Sequence, residues 1–275
     1  KEWNSKSQLE RRKECMGEIP MKKEKKLKNV KQEEYIYEIR RFPIPPKRYG
    51  FLPYSIQLFL QTDNSAALDK DNNKYLNQEE STSALLRYGV EKSTNKSFIA
   101  CIADLYAYKK SLEKVPTIQE MCSILTNAIS LDLFVQYHNS SLVSIFKPKL
   151  YDMEEIDPTK YEDTSFLQQL DMSNEKHVEL VNTTIAAYEN FIDFMNDPNS
   201  LVDHTYLWDI VCSPNMNLFQ EGCNLAIIRM RDVDITEDIE VLCPTSVYSS
   251  VLYDMRKETF ILIKFDDVFY EPIYL

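Results

Sequence analysis

The most regular hydrophobic pattern in the chain lies between residues 178 and 195. Its members alternate three and four residues apart and are Val178, Val181, Ile185, Tyr188, Ile192 and Met195. This spacing lines one face of a helix of about 20 residues, and Asp197-Pro198-Asn199 ends that helix. We interpret the apolar face as packing on its own domain, with a partner helix as the alternative.

Three further segments are predicted to be helical. Residues 52–60 and 97–114 carry apolar side chains at helical spacing; these are Leu52, Ile56, Phe59 and Leu60 in the first segment, and Phe98, Ile102, Leu105 and Leu112 in the second. A third helix begins after Thr117, because Thr117 and Glu120 have the spacing of a capping box. Met121, Leu125 and Ile129 are expected on its buried side.

Strand patterns occur at 35–42, where prolines end the run, and near the carboxyl end at 225–230, 239–243, 259–265 and 268–274. Asp266 and Asp267 predict a tight turn between the last two strands, although a turn without glycine is less favourable there. Residues 61–80 are polar and predict a surface loop. Residues 131–146 predict either a helix continuing into a strand or two short strands. The fold class is therefore α+β, with a helical N-terminal and middle part followed by a C-terminal antiparallel β meander.

The sequence predicts three regions, and the net charge changes along them. Residues 1–34 form a basic, weakly structured arm, residues 35–150 a mainly helical domain, and residues 151–275 an acidic α+β domain with the C-terminal strands. Residues 1–48 carry a net charge of +7, residues 49–150 a net charge of 0, and residues 151–275 a net charge of −18, within a total of −11. The total acidity therefore conceals a basic N-terminal segment.

This basic segment is the candidate nucleic-acid contact. Clustered cations bind the phosphate backbone by releasing counterions, without reading sequence. The candidate contact residues are Lys22, Lys23, Lys25, Lys26, Lys28, Arg40, Arg41 and Arg48. The alternative is a solvated linker. Because no aromatic side chain interleaves with the lysine run, binding of single strands is not specifically indicated.

Composition argues against several kinds of enzyme and cofactor. The four glycines lie 33 or more residues apart, so no glycine-rich phosphate loop is present. The six cysteines lack a C-x-x-C motif and the three histidines lack an H-x-x-x-H motif, so we predict no metal site and no cofactor. The cysteines are interpreted mainly as small buried hydrophobic residues in a reducing compartment. No apolar run is long enough to predict contact with a membrane.

One enzyme hypothesis follows from the order of elements. Metal-dependent nucleases place two carboxylates around Mg²⁺ and a lysine near the attacking water. Asp209 and Lys264 could supply two of these groups, but Leu262 occupies the position where the second acid is expected, and Asn224-Leu225-Ala226 supplies neither acid nor lysine. The constellation is incomplete, so we predict that the chain is not an enzyme, with an inactive nuclease-like domain as an alternative.

Four phrases together resemble an uncharacterised protein family of the nucleocytoplasmic large DNA viruses: RRFPIPPKRYGFLPYSIQLFL at 40–60, ALLRYGVEKSTNKSFIACIADLY at 84–106, IEVLCPTS at 239–246 and FILIKFDDVFYEPIYL at 260–275. The resemblance covers most of residues 40–275 and implies an internal fragment of a longer polypeptide. It also implies viral protein partners and a location in the host cytoplasm, at the virus factory, or in the virion. It supplies no catalytic residues.

Two roles are consistent with that resemblance. The first is a non-enzymatic interaction domain of the virus-encoded transcription apparatus, similar in broad role to an early transcription factor subunit. The second is a virion structural or assembly protein. The basic arm favours the first role, because it offers a contact for nucleic acid.

Overall fold

The computed structural model describes residues 35–69, 72–76, 84–148, 156–231, 239–244 and 253–274. These residues belong to one compact unit, Tyr35–Leu275. The basic arm, residues 1–34, lies outside the described residues, and so do the five candidate lysines at positions 22 to 28. Only Arg40, Arg41 and Arg48 of the predicted contact residues are therefore described.

Among the described elements, five strands and one short helix come first, seven consecutive helices follow, and four strands come last. The helices are α1 (Tyr54–Phe59), α2 (Ser97–Lys110), α3 (Ile118–Ala128), α4 (Leu131–Gln136), α5 (Ser141–Phe146), α6 (Ser165–Gln168), α7 (Glu175–Asn196) and α8 (His204–Cys212). The strands are β1 (Ile36–Tyr37), β2 (Tyr49–Gly50), β3 (Leu68–Asp69), β4 (Asn72–Leu76), β5 (Leu86–Tyr88), β6 (Asn224–Met230), β7 (Glu240–Leu242), β8 (Thr259–Phe265) and β9 (Phe269–Tyr274). Short 3₁₀ turns lie at Asn64–Ala67, Tyr137–Ser140 and Pro158–Tyr161.

A mixed sheet forms the centre of the unit. Within the described ranges its strand order is β1-β2-β5-β9-β8-β6-β7, and β3 pairs with β4 in a separate two-stranded sheet. The α+β class is confirmed, but the predicted antiparallel meander is only partly correct. Strands β6 and β8 run parallel, with Ile227 opposite Leu262, because β7 reverses the chain at the edge of the sheet and β8 then enters from the same end as β6.

The two faces of the sheet are covered differently. Leu225, Ile227, Phe260 and Leu262 face the larger core, which they share with the buried sides of α2, α3, α7 and α8. Ile228, Met230, Ile263 and Ile273 point to the opposite face and pack against Leu52 and Ile56, at and before α1. Because neighbouring side chains of a strand point to opposite faces, both faces of the central strands are apolar. The sheet is therefore the middle layer of three.

The predicted helices are largely confirmed. Thr117 caps α3 through its hydroxyl, which accepts from the N–H of Glu120 at 3.2 Å, while the Glu120 carboxylate accepts from the N–H of Thr117 at 2.7 Å. Val181, Ile185 and Met195 of α7 are fully buried in the unit's own core, which confirms that its stripe packs within the domain. Two expected core positions are wrong, since Phe59 is 51% exposed and Leu112 is 45% exposed.

Two irregular segments differ from their sequence-based predictions. Residues 131–146 contain the helices α4 and α5 and no strand, because short apolar runs look alike in strands and buried helices. Residues 61–80 are not a plain loop: they contain a 3₁₀ turn capped by Asp63 and the β3–β4 hairpin. Asn64 is buried there and its amide binds the N–H of Leu52 and the carbonyl of Leu85, both at 2.6 Å. Hydropathy cannot show such a buried polar residue.

The strand predictions are correct in place and differ in length. The first strand is limited to Ile36–Tyr37, and the four C-terminal strands lie within one residue of their expected bounds or slightly inside them. Asp266 and Asp267 both have positive φ, of 50° and 56°, and the N–H of Val268 donates to the carbonyl of Phe265 at 3.2 Å. The tight turn is therefore confirmed, with aspartates in a conformation that usually favours glycine.

Within the described part of the chain, no single helix is both long and apolar enough to cross a membrane. The segments Ile118–Ala128 and Leu131–Phe146 reach that length and composition only when taken together, and they are bent by 85° at their junction.

Candidate functional site

The three described candidate residues lie beside β1 and β2, at one edge of the sheet. Arg40 and Arg41 are exposed in the segment that leaves β1, whereas Arg48 is half-buried directly before β2. The guanidinium carbon of Arg48 lies 5.9 Å from the centre of the Tyr37 ring, a cation–π contact. Two of the three arginines are therefore accessible to a partner and the third is partly so, and their contact with nucleic acid stays a prediction.

The pairing of β1 with β2 separates the three arginines. The strands are parallel, with Ile36 opposite Tyr49 and Tyr37 opposite Gly50. This register places Arg48 at the start of the strand pair, while Arg40 and Arg41 lie in the turn beyond its end, where the N–H of Arg41 donates to the carbonyl of Glu38 at 3.1 Å.

Some described cations pair with carboxylates, while others, including Lys92, Lys110 and Lys114, take part in no described ion pair. Elsewhere in the described ranges, ion pairs with carboxylates involve the cations Arg87, Lys109, Arg229, Arg256 and Lys264. No described ion pair involves Arg40, Arg41 or Arg48. The positive charge of this edge is therefore not neutralised by a described carboxylate.

A buried ion pair holds the segment that carries these arginines. Arg87 of β5 is fully buried, and its guanidinium lies 2.9 Å from the carboxylate of Glu271 in β9. Its remaining N–H groups donate to backbone carbonyls of the segment 38–51, at Glu38, Ile39, Arg41 and Phe51. The other carboxylate oxygen of Glu271 accepts from the N–H of Ile44 at 2.6 Å. All five donors of the guanidinium are thereby used.

Packing completes this anchor. The guanidinium carbon of Arg87 lies 3.9 Å from the centre of the Phe42 ring, and that ring stacks on Phe265 at 4.1 Å. A Cβ added to Gly89 would lie 2.0 Å from the carbonyl oxygen of Pro45, so only glycine allows β5 to approach this segment so closely. The sequence did not indicate Arg87, Glu271 or Gly89, because each of these residues contacts partners that lie far from it in sequence.

Lys264, one residue of the nuclease hypothesis, belongs to a polar cluster near the end of β8. Lys264 lies 3.7 Å from the carboxylate of Asp203 and 3.9 Å from that of Asp267. Asp209 has a different environment, because it is buried and accepts a hydrogen bond from the N–H of His138 at 2.7 Å. Leu262, at the position expected for the second acid, is fully buried in the core.

The same cluster contains a histidine–tyrosine contact. Nδ1 of His204 lies 2.7 Å from the hydroxyl of Tyr270, and the Tyr270 ring lies 5.3 Å from the ammonium of Lys264. Burial lowers the pKa of His204, and the nearby carboxylate of Asp203 only partly opposes this effect. The described residues contain no group of three or more His, Cys, Asp or Glu side chains arranged to hold a metal ion.

The described cysteines vary in burial. Cys101, Cys122 and Cys223 are buried, Cys212 is half-buried and Cys243 is exposed, and all five are free thiols. Three of them therefore occupy the buried positions expected of small hydrophobic residues. Cys15 lies outside the described residues.

No protein-family model, curated protein or solved structure gives a significant match to the chain.

Proposed function

We propose that the chain is a non-enzymatic interaction domain of a large DNA virus protein, and that it serves the virus-encoded transcription apparatus. In this proposal the basic arm and the edge arginines Arg40, Arg41 and Arg48 contact the phosphate backbone of nucleic acid. The supporting observation is the edge itself: it carries cations without described carboxylate partners, in a chain of net charge −11.

Chain connectivity adds support. The basic segment 1–34 directly precedes, in sequence, the edge strand β1, which begins at Ile36. The Arg87–Glu271 pair holds the backbone around Arg40, Arg41 and Arg48, which limits the conformational freedom lost when these residues bind a partner. The strongly acidic residues 151–275 repel nucleic acid, so contact is confined to the N-terminal edge.

The test is binding of a fluorescein-labelled 30-base-pair duplex by the intact chain, followed by anisotropy over a range of salt concentrations. We expect binding to weaken steeply as salt rises, because each phosphate contact releases counterions. Deletion of residues 1–34 should remove most of the affinity, while the circular dichroism spectrum of the remaining compact unit stays unchanged. Failure of the intact chain to bind at low salt would refute the nucleic-acid contact.

The transcription role has a separate test. A domain of the transcription apparatus should co-purify with viral RNA polymerase subunits from infected cells, and this association should survive nuclease treatment. Association with capsid or core proteins instead, independent of the arm, would contradict the transcription role and support a role in virion assembly.

A further inference from the structure

A groove opens between α3, α7 and the 3₁₀ turn at Pro158–Tyr161. It has a volume of 460 Å³, and the residues relevant here are Asn127 of α3, Tyr161 of the turn, and Tyr188, Glu189, Ile192 and Asp193 of α7. This volume is large enough for a long amino-acid side chain together with part of its backbone.

Two tyrosine rings form one corner of the groove. The rings of Tyr161 and Tyr188 lie 5.9 Å apart at an interplanar angle of 90°. Each is held by its hydroxyl: Tyr188 donates to the carbonyl of Ile129 at 2.9 Å, and Tyr161 donates to the carboxylate of Glu189 at 3.1 Å. The faces of aromatic rings are electron-rich, so such a corner attracts cations.

Two carboxylates stand next to this corner. Glu189 and Asp193 are one helical turn apart on α7 and therefore lie on the same face, where they repel each other. Neither takes part in a described ion pair, and no lysine or arginine is among the described residues that line the groove. The described lining of the groove therefore combines aromatic faces and negative charge with no cationic side chain.

We propose that this groove binds a lysine or arginine side chain presented by a basic segment of a partner protein. The cation lies against the rings of Tyr161 and Tyr188 and is neutralised by Glu189 and Asp193, while its alkyl stem contacts Ile192. The net charge of −18 on residues 151–275 favours the approach of a basic partner from a distance. This inference does not depend on the nucleic-acid contact proposed above.

The first test measures binding of fluorescein-labelled peptides made of four Lys-Ser repeats or four Arg-Ser repeats by anisotropy, using the full chain. The double variant Glu189→Gln/Asp193→Asn should weaken binding of the preferred peptide about tenfold. The control Glu179→Gln/Glu221→Gln removes two exposed carboxylates outside the groove and changes the net charge equally. Equal weakening by both double variants would show only general attraction and overturn the proposal.

The second test separates the aromatic contribution from charge. Tyr161→Phe keeps the ring and should retain most of the affinity, whereas Tyr161→Leu should weaken binding about fivefold. Circular dichroism and urea unfolding establish that both variants are folded. If the Phe and Leu variants bind the peptides equally well, the aromatic corner does not recognise the cation and the proposal fails. Preference for the lysine or the arginine peptide identifies which side chain the groove accepts.

Discussion

At the scale of single residues, Arg87 and Glu271 determine where the N-terminal segment lies. Removing a charge from a buried, hydrogen-bonded pair leaves its partner buried without compensation, which costs more than the pair itself contributes. Burial alone raises the pKa of Glu271, and the neighbouring guanidinium of Arg87 opposes that effect. The pair therefore fixes the position of residues 38–51, although its net contribution to the free energy of unfolding is small.

We predict that Glu271→Gln lowers the free energy of unfolding by about 3 to 5 kcal/mol. The matched control is Glu240→Gln. It removes the ion pair between Glu240 and Arg229, in which the Glu240 side chain is 57% exposed. This variant should lower the free energy of unfolding by about 1 kcal/mol or less. Urea unfolding followed by circular dichroism measures both values. Equal costs for the two variants would show that Arg87 does not depend on Glu271.

His204 leads to a prediction about pH. Burial lowers its pKa in the folded state below the ordinary value, so the unfolded chain binds a proton more readily than the folded chain. Stability should therefore be highest above the unfolded pKa of about 6.5 and should fall as pH decreases through and below that value. Asp203, Lys264 and Tyr270 face this histidine and set the size of the effect.

The measurement is urea unfolding between pH 7.5 and 5.5. His204→Gln should make the dependence on pH shallower, because it removes the imidazole whose pKa burial lowers. His138 also has a pKa lowered by burial, so part of the dependence should remain in the His204 variant. A pH dependence identical to that of the unaltered chain would contradict the role assigned to His204.

At the scale of elements, the apolar face of α7 stabilises the fold because its side chains are buried. Ile185 is fully buried, whereas Leu180, on the same helix, is 46% exposed. Ile185→Ala should destabilise the fold by about 2 to 5 kcal/mol, because it removes buried methyl groups and leaves a cavity. Leu180→Ala should change stability by about 0.5 kcal/mol or less. Thermal unfolding of the two variants checks this difference, and similar melting temperatures would mean that α7 does not pack as described.

Sequence predicted the elements whose signals are local. The capping box of Thr117 and Glu120 and the stripe of α7 depend on residues within one or a few turns, so their physical causes are visible in the sequence. The parallel pairing of β6 with β8 depends on how the chain returns after β7, and no local pattern specifies that path. Residues 131–146 were ambiguous for another reason, because short apolar runs satisfy both strand and buried-helix patterns.

The candidate sites show the same limit. Arg40, Arg41 and Arg48 could be selected from charge alone, because basic residues beside a strand are usually exposed. Arg87 resembles them in sequence, yet it is fully buried. Its burial could not be predicted, because its partner Glu271 lies 184 positions away. The groove was also invisible in sequence, since Tyr161 and Glu189 meet only when the Pro158–Tyr161 turn packs on α7.

At the scale of the whole molecule, the distribution of charge separates two kinds of partner. The first 48 residues carry a net charge of +7 and residues 151–275 carry −18. Phosphate groups are attracted to the first region and repelled by the second, while cationic side chains show the opposite preference. The edge arginines and the groove between α3 and α7 can therefore bind different ligands at the same time.

The salt dependence of duplex binding tests this arrangement quantitatively. If the eight proposed cations each contact a phosphate, the logarithm of the affinity should fall with the logarithm of salt concentration with a slope of about −7. Arg40→Gln/Arg41→Gln should make that slope shallower by about 2, because two counterion-releasing contacts are lost. The control Lys114→Gln/Lys176→Gln removes two exposed lysines outside the segment 35–51 that forms β1 and β2 and should leave the slope unchanged. If both double variants change the slope equally, net charge alone governs binding, and Arg40 and Arg41 have no specific contact with the phosphate backbone.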